Sequence, residues 1–215
     1  TGYLGSGKTT LINHILNNRS GLRVAVIVND MGKVNIDATL IAYGGTIQMG
    51  DQSLVPLSNG CICCTLQGDL VRAVARLIRQ NRFDYILIEA SGICEPVPIA
   101  QTICNIPTLA PQYVKDGVAA LDCIVTVVDA LRMKSEFGCG DDLTRENIDD
   151  EDLENLVIQQ IEFCNIVLLN KASEVTPEEL GRIKKIIRAL QPQAKIIECD
   201  YGNVELDNIL NTQLF

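Results

Sequence analysis

Apolar and polar positions recur along the chain in two distinct periods. Five short runs are almost wholly apolar: Val24 to Val28, Phe83 to Glu89, Asp122 to Asp129, Asn165 to Asn170 and Ala194 to Cys199. Runs of this length without polar alternation are what strands buried on both faces show. Between them the apolar residues recur at helical spacing. Leu11, Ile12, Ile15 and Leu16 form one stripe. Leu66, Leu70, Val71, Val74, Leu77 and Ile78 form another, with Arg72, Arg76 and Arg79 on the opposite, solvated side. A further helix is predicted over Pro177 to Leu190, with Thr176 as its cap, Pro177 in the first helical position and Glu179 three residues after the cap. Repeated strand-helix alternation predicts an α/β fold, a mostly parallel sheet with right-handed crossovers and helices on both faces. No Pro/Gly/Ser-rich linker divides the 215 residues, so one domain is expected.

Ahead of the first helical stripe the chain reads T-G-Y-L-G-S-G-K-T-T. Gly2, Gly7, Lys8 and Thr9 complete the pattern G-x-x-x-x-G-K-[ST] of a phosphate-binding loop, which narrows the fold to a P-loop NTPase. Its glycines let the backbone curl so that several N–H groups face a di- or triphosphate, and the helix that follows offers its positive N-terminus. Lys8 is placed to reach the β- and γ-phosphates, and Thr9 to lend its hydroxyl to Mg²⁺. Such a loop normally follows a buried strand, so a first strand is expected upstream of Thr1 and the sequence reads as a fragment.

Three later stretches fit the same nucleotide. The polar segment Asn29 to Asp37 follows a predicted strand, at the sheet edge where ligands of open α/β folds bind. Asp30 and Asp37 are therefore candidates to touch Mg²⁺ or its waters. The strand ending in Glu89 resembles the second nucleotide motif of P-loop proteins. Glu89 at its tip can orient a water or hold Mg²⁺ indirectly, and Gly92 lets a backbone N–H approach the γ-phosphate. Finally, Asn170-Lys171-Ala172-Ser173 has the location and form of a guanine-reading N-K-x-D motif. An Asp there accepts both the ring N–H and the exocyclic amino group of guanine, a contact adenine cannot make. Ser173 offers one oxygen and no charge, so discrimination is expected to weaken unless Glu174 or the backbone substitutes. Asn170 and Lys171 remain to pack against the base and support the loop.

Charge and cysteine usage sharpen this picture. The 27 acidic against 18 basic residues give a net charge of -9, which argues against a nucleic-acid or anionic-membrane surface. No apolar run approaches the length of a membrane span. Nine cysteines are an odd number, and a nucleotide-binding enzyme is expected in the reducing cytoplasm, so they read as core residues or metal ligands. Cys61, Cys63 and Cys64 put three thiols in four residues just before a helix N-terminus, whose dipole favours the metal-binding thiolate. Soft sulfur ligands select Zn²⁺, Cu⁺ and, where geometry allows, Co²⁺. The C-x-C-C spacing is tighter than the paired C-x-x-C of structural zinc sites, which suits an incompletely ligated metal meant for release. Cys94, in the loop after Glu89, is a candidate to join the metal or couple it to the nucleotide. Cys104, Cys123, Cys164 and Cys199 lie in or beside apolar runs and are expected in the core. Cys139 is expected as an exposed thiol in the acidic stretch Gly138 to Glu154, itself read as a solvated loop.

The motifs G-Y-L-G-S-G-K-T-T-L, S-N-G-C-I-C-C-T-L, I-E-A-S-G-I-C-E-P and N-K-A-S, in this order and spacing, strongly resemble the CobW-type metallochaperone GTPases across nearly the whole chain. The resemblance implies a GTPase of the SIMIBI class that binds a transition metal, usually zinc or cobalt, and couples GTP hydrolysis to its delivery to a client metalloenzyme. It gives the phosphate role to Gly2, Gly5, Gly7, Lys8, Thr9 and Thr10, the metal role to Cys61, Cys63 and Cys64, and the switch role to Glu89 and Gly92. The full candidate set adds Ser6, Asn170, Lys171 and Ser173 for the nucleotide, with Lys8, Glu89 and Asp30 as catalytic groups. Where the family often has N-E-F-G-E, this chain reads Asn29-Asp30-Met31-Gly32-Lys33, so the second acid is a lysine. The family's nucleotide domain ends near Phe215, so its second domain is expected to be absent or to lie outside this sequence, and a nucleotide- or metal-dependent homodimer is a further expectation. Two other readings fit the sequence: a metal-responsive regulator with little turnover, and a P-loop kinase using ATP.

Overall fold

All five apolar runs become parallel strands, trimmed at their ends to the residues that pair. The computed structural model of the protein describes residues 1–18, 21–29, 54–57, 67–149 and 152–215. They group into two units, Thr1–Leu11 with Asp122–Phe215, and Ile12–Leu121.

In the unit Ile12–Leu121, β1 (Val24–Asn29) lies between β2 (Leu54–Leu57) and β3 (Tyr85–Glu89), all parallel, with Val24 opposite Tyr85 and Val28 opposite Glu89. The side chains of β1 alternate between two helical layers. Ala25 and Ile27 pack with Leu70, Val74 and Leu77 of α2 (Gln67–Gln80) and with Ile99 and Ile103 of α3 (Pro96–Leu109). Val24, Val26 and Val28 pack with Ile12 and Leu16 of α1 (Lys8–Asn18). Cover on both faces is why β1 carries no polar alternation. The strand β2 was not evident from its sequence because Pro56 interrupts it, and proline, lacking an N–H, is tolerated only where a strand borders the sheet. Its place at the end of the β2-β1-β3 order meets that condition.

In the unit Thr1–Leu11 with Asp122–Phe215, β5 (Ile166–Asn170) is central between β4 (Val125–Asp129) and β6 (Lys195–Glu198), again all parallel. Thr1 joins the far side of β4 through two bonds, its own N to the Val125 carbonyl at 2.7 Å and Val127 N to the Thr1 carbonyl at 2.9 Å. The helices α4 (Ala130–Glu136), α5 (Leu153–Glu162) and α6 (Pro177–Leu190) complete this unit. The expected capping box of α6 forms: Glu179 N donates to Thr176 Oγ1 at 3.3 Å and Thr176 N to Glu179 Oε2 at 2.9 Å. Among the described residues no helix is long and apolar enough to cross a membrane.

Three expectations are corrected. The stretch expected to be a solvated acidic loop opens with an ordered segment, Gly138–Thr144, of short 3₁₀ turns kinked at Cys139 and Gly140, that inserts Cys139 and Leu143 into the core with Met133, Val157, Ile183 and Ile187. Its acids stay outside, where Asp141 pairs with Arg182. Cys139 is accordingly buried, not exposed: the turn places its apolar thiol inward while the charged neighbours take the water. Conversely Cys104 is exposed, because it falls on the solvent side of α3 although its surroundings in sequence are apolar. Burial pushes the Cys164 thiol up to about 11, and burial together with the neighbouring Asp200 carboxylate does the same to Cys199. At pH 8, iodoacetamide is therefore expected to alkylate Cys104 well ahead of Cys164 and Cys199, as read by peptide mass spectrometry. Equal labelling of the three would contradict the packing.

Candidate nucleotide-binding site

The loop from Gly2 to Lys8 takes a path that only glycine allows at its two ends. Gly2, Gly5 and Gly7 have φ of 134°, 75° and 110°, values that L side chains rarely adopt. A Cβ at Gly2 would collide with the Val127 carbonyl oxygen, and one at Gly7 with the Asn170 side-chain amide. Ser6 N donates to the Tyr3 carbonyl at 3.2 Å, and Lys8 Nζ reaches back to the same carbonyl at 3.2 Å. Helix α1 then starts, with Leu11 N donating to the Gly7 carbonyl at 2.9 Å. Such a glycine-lined curl at a helix N-terminus fits a di- or triphosphate.

The strand tips hold this curl from beneath. Asn170, the last residue of β5, is buried at 2% exposure. Its Nδ2 donates to the Ser6 carbonyl at 2.8 Å, and its Oδ1 accepts from Gly202 N at 3.1 Å. Asp129, the last residue of β4, caps α4 by accepting from Arg132 N at 3.1 Å. Its other oxygen pairs with Lys171 Nζ. Arg132 in turn bonds the Leu4 carbonyl, stacks its guanidinium 4.7 Å from the Tyr3 ring centroid and pairs with Glu136 at 2.8 Å. Two partners therefore grip the loop's backbone, Asn170 at Ser6 and Arg132 at Leu4.

Beyond Lys171 the chain turns through the short 3₁₀ segment Ala172–Glu174, and Ser173 directs both its N–H and its hydroxyl to Asp200 Oδ1, at 3.1 and 3.0 Å. Asp129, Arg132 and Asp200 were not among the candidates read from the sequence. For Asp129 and Asp200 a signal existed, since an acid at or just past the C-terminal end of a parallel strand lies where such sheets bind ligands. Arg132 gave none, because a lone arginine on a short helix looks like a solvated charge.

The structure thus brings Gly2, Gly5, Ser6, Gly7 and Lys8 together with Asn170, Lys171 and Ser173 in one unit. Thr9 and Thr10 follow in the first turn of α1. Glu89 and Gly92 belong to the other unit: Glu89 is buried at the end of β3, and Gly92 lies in the turn closed by Cys94 N and the Ser91 carbonyl at 3.0 Å. Cys94 is fully buried there among Ala90, Ile99 and Ile103. Asp30, Asp37, Cys61, Cys63 and Cys64 lie outside the described residues. Among the described residues, no group of three or more His, Cys, Asp or Glu is placed to hold a metal ion.

The model for the family described as "CobW/HypB/UreG, nucleotide-binding domain" matches residues 1–198. The chain belongs to this family. It is 40% identical over 227 residues to the zinc-regulated GTPase metalloprotein activator 1 of Dictyostelium discoideum, covering 100% of this chain and 48% of that protein. It is 33% identical over 223 residues to the zinc chaperone CobW of Pseudomonas aeruginosa, covering 98% of this chain and 58% of that one. Among solved structures, the Zn(II)-bound YjiA GTPase from E. coli shares its fold with a TM-score of 0.64 at 23% identity, covering 100% of this chain and 60% of that chain. The chain therefore spans about half to three fifths of the length of these relatives. The P-loop architecture expected from the sequence is the architecture found. In this CobW/HypB/UreG domain the phosphate loop is seated on the tips of β4 and β5, and the motif after β5 ends on a serine bonded to Asp200.

Proposed function

We propose that the chain is the nucleotide-binding domain of a GTP-hydrolysing metallochaperone of the cytoplasm, which makes its hold on a transition metal depend on nucleotide state and passes that metal to a client metalloenzyme. The observation that carries the reading is the loop from Gly2 to Lys8, shaped for phosphate and locked by Asn170 and Arg132. The names of the relatives, a zinc-regulated GTPase metalloprotein activator and a zinc chaperone, support the metal side.

Gly2, Gly5 and Gly7 keep the loop open for the phosphates, and Ser6, Thr9 and Thr10 line its start of helix. Lys8, whose ammonium donates to the Tyr3 carbonyl at 3.2 Å, is the cation that turns to the phosphate oxygens. Thr9 would hold Mg²⁺, which when bound neutralises charge on the β- and γ-phosphates. Glu89, on its strand tip, orients the attacking water, and Gly92 gives its turn the close backbone approach a γ-phosphate needs. The cargo is zinc or cobalt held by the thiolates of Cys61, Cys63 and Cys64, a donor set suited to soft or borderline metals.

Two measurements test the reading together. GTP with Mg²⁺ is expected to raise the melting temperature more than ATP does, and added zinc is expected to change the rate of GTP turnover. Cys63→Ser is expected to abolish the zinc effect while leaving zinc-free turnover in place. Turnover indifferent to zinc in the unaltered protein would sink the coupling, and greater stabilisation by ATP would favour a kinase.

A further inference from the structure

The fourth position of the base-reading motif lacks the carboxylate that guanine recognition uses, and the fold supplies one from elsewhere. Ser173 and Asp200 are 27 residues apart in sequence, yet the Ser173 N–H and hydroxyl both donate to Asp200 Oδ1. The turn that carries Asp200 is tied to the end of β5 and the loop after it at two further points, Ala172 N donating to the Cys199 carbonyl at 3.2 Å and Gly202 N to Asn170 Oδ1 at 3.1 Å, and it is closed on itself by Asn203 N donating to the Asp200 carbonyl at 3.0 Å. Tyr201 and Gly202 take φ of 54° and 65°, and a Cβ at Gly202 would stand 3.0 Å from Leu11 Cα. Glycine at 202 is what lets this turn close against the first turns of α1, beside the phosphate loop. Asp200 is thus half-buried and fixed on the same edge as Asn170 and Lys171.

We propose that Asp200, positioned by Ser173, is the residue that selects guanine over adenine in this domain. The proposal rests on the GTP reading above and names the group that enforces it. A carboxylate offers about four acceptor sites. Ser173 uses both sites of Oδ1, and the two of Oδ2 remain for the N1–H and the 2-amino hydrogens of guanine. Adenine would turn the lone pair of its N1 toward the negative charge, a repulsive contact. The hydroxyl stands on the loop after β5 and the acid on the turn after β6, so a carboxylate reaches this edge although the N-K-x-D pattern is broken.

The test uses calorimetric affinities of the full chain for GDP and ADP. With Ser173 holding one oxygen, Asp200→Asn puts an amide nitrogen where Oδ2 stood, a donor that opposes both guanine donors but suits the lone pair of adenine N1. Asp200→Asn is expected to weaken GDP by roughly 10- to 100-fold and to strengthen ADP, a gain that misfolding cannot imitate. Ser173→Ala, which leaves the acid in place but half-tethered, is expected to lower the GDP-to-ADP preference by roughly 3- to 10-fold without strengthening ADP. A guanine-preferring unaltered protein whose preference survives Asp200→Asn overturns the assignment of Asp200 and leaves the GTP reading standing. An unaltered protein with no guanine preference overturns both. If Asp200→Asn does not fold by circular dichroism, an unchanged ratio in Ser173→Ala overturns the proposal and a lowered ratio supports it.

Discussion

Replacing Lys8 by alanine is expected to reduce GTP turnover by about 10²- to 10³-fold at saturating GTP, with a change in melting temperature of only a few degrees. The magnitude is that of deleting one preorganised electrostatic group from a site where charge develops on phosphate oxygens. The structure explains why turnover and stability separate here. Lys8 is the first residue of α1 and is half-exposed, with one of its contacts to the Tyr3 carbonyl at 3.2 Å. Contacts of a half-exposed lysine contribute little to stability because water can take their place, whereas nothing replaces a cation at the phosphates. The measurement is steady-state phosphate release, with circular dichroism melts run alongside. Turnover within threefold of the unaltered protein would remove Lys8 from the reaction.

Asn170→Ala is expected to act the other way round, through the fold first. The side chain is buried, donates to the Ser6 carbonyl at 2.8 Å and accepts from Gly202 N at 3.1 Å. Alanine leaves both backbone groups without that partner, and each buried orphan costs about 1–3 kcal/mol. The sum of about 2–6 kcal/mol converts to a fall in melting temperature of roughly 4–24 °C for a chain of this size. Asn170→Asp is the informative contrast. A carboxylate still accepts from Gly202 but meets the Ser6 carbonyl acceptor to acceptor, so it is expected to be no better than alanine. Calorimetric melts decide the matter, and a shift below 2 °C for alanine would show that the tether to the phosphate loop contributes nothing.

These two expectations differ in how much of them was legible beforehand. The role of Lys8 follows from a local pattern, because a phosphate loop is built from consecutive residues and its glycines advertise the left-handed backbone they permit. Asn170 was legible as a base-side residue, but its buried double contact was not, since the partners Ser6 and Gly202 lie far from it in the chain. The same division runs through the cysteines. The apolar neighbours of Cys164 and Cys199 correctly placed them inside, where burial raises both thiols to about 11. Cys139 was misplaced by its acidic neighbours, because an ordered turn can keep charges in water while one apolar side chain points inward. Cys104 was misplaced by its apolar neighbours, because composition ignores which side of a helix a residue occupies.

The sequence by itself determined the parallel α/β architecture, the phosphate loop, the family and the cysteine cluster of the proposed metal site. All of these are periodic or contiguous signals, carried by backbone preference and by residues adjacent in the chain. Only the tertiary structure decided what holds the loop and what stands at the broken end of the base-reading motif. Arg132 on Leu4, Lys171 on Asp129 and Ser173 on Asp200 are contacts between residues brought together at the C-terminal tips of β4, β5 and β6. A parallel sheet gathers strand ends that are tens of residues apart, and no local pattern records which of their side chains will meet.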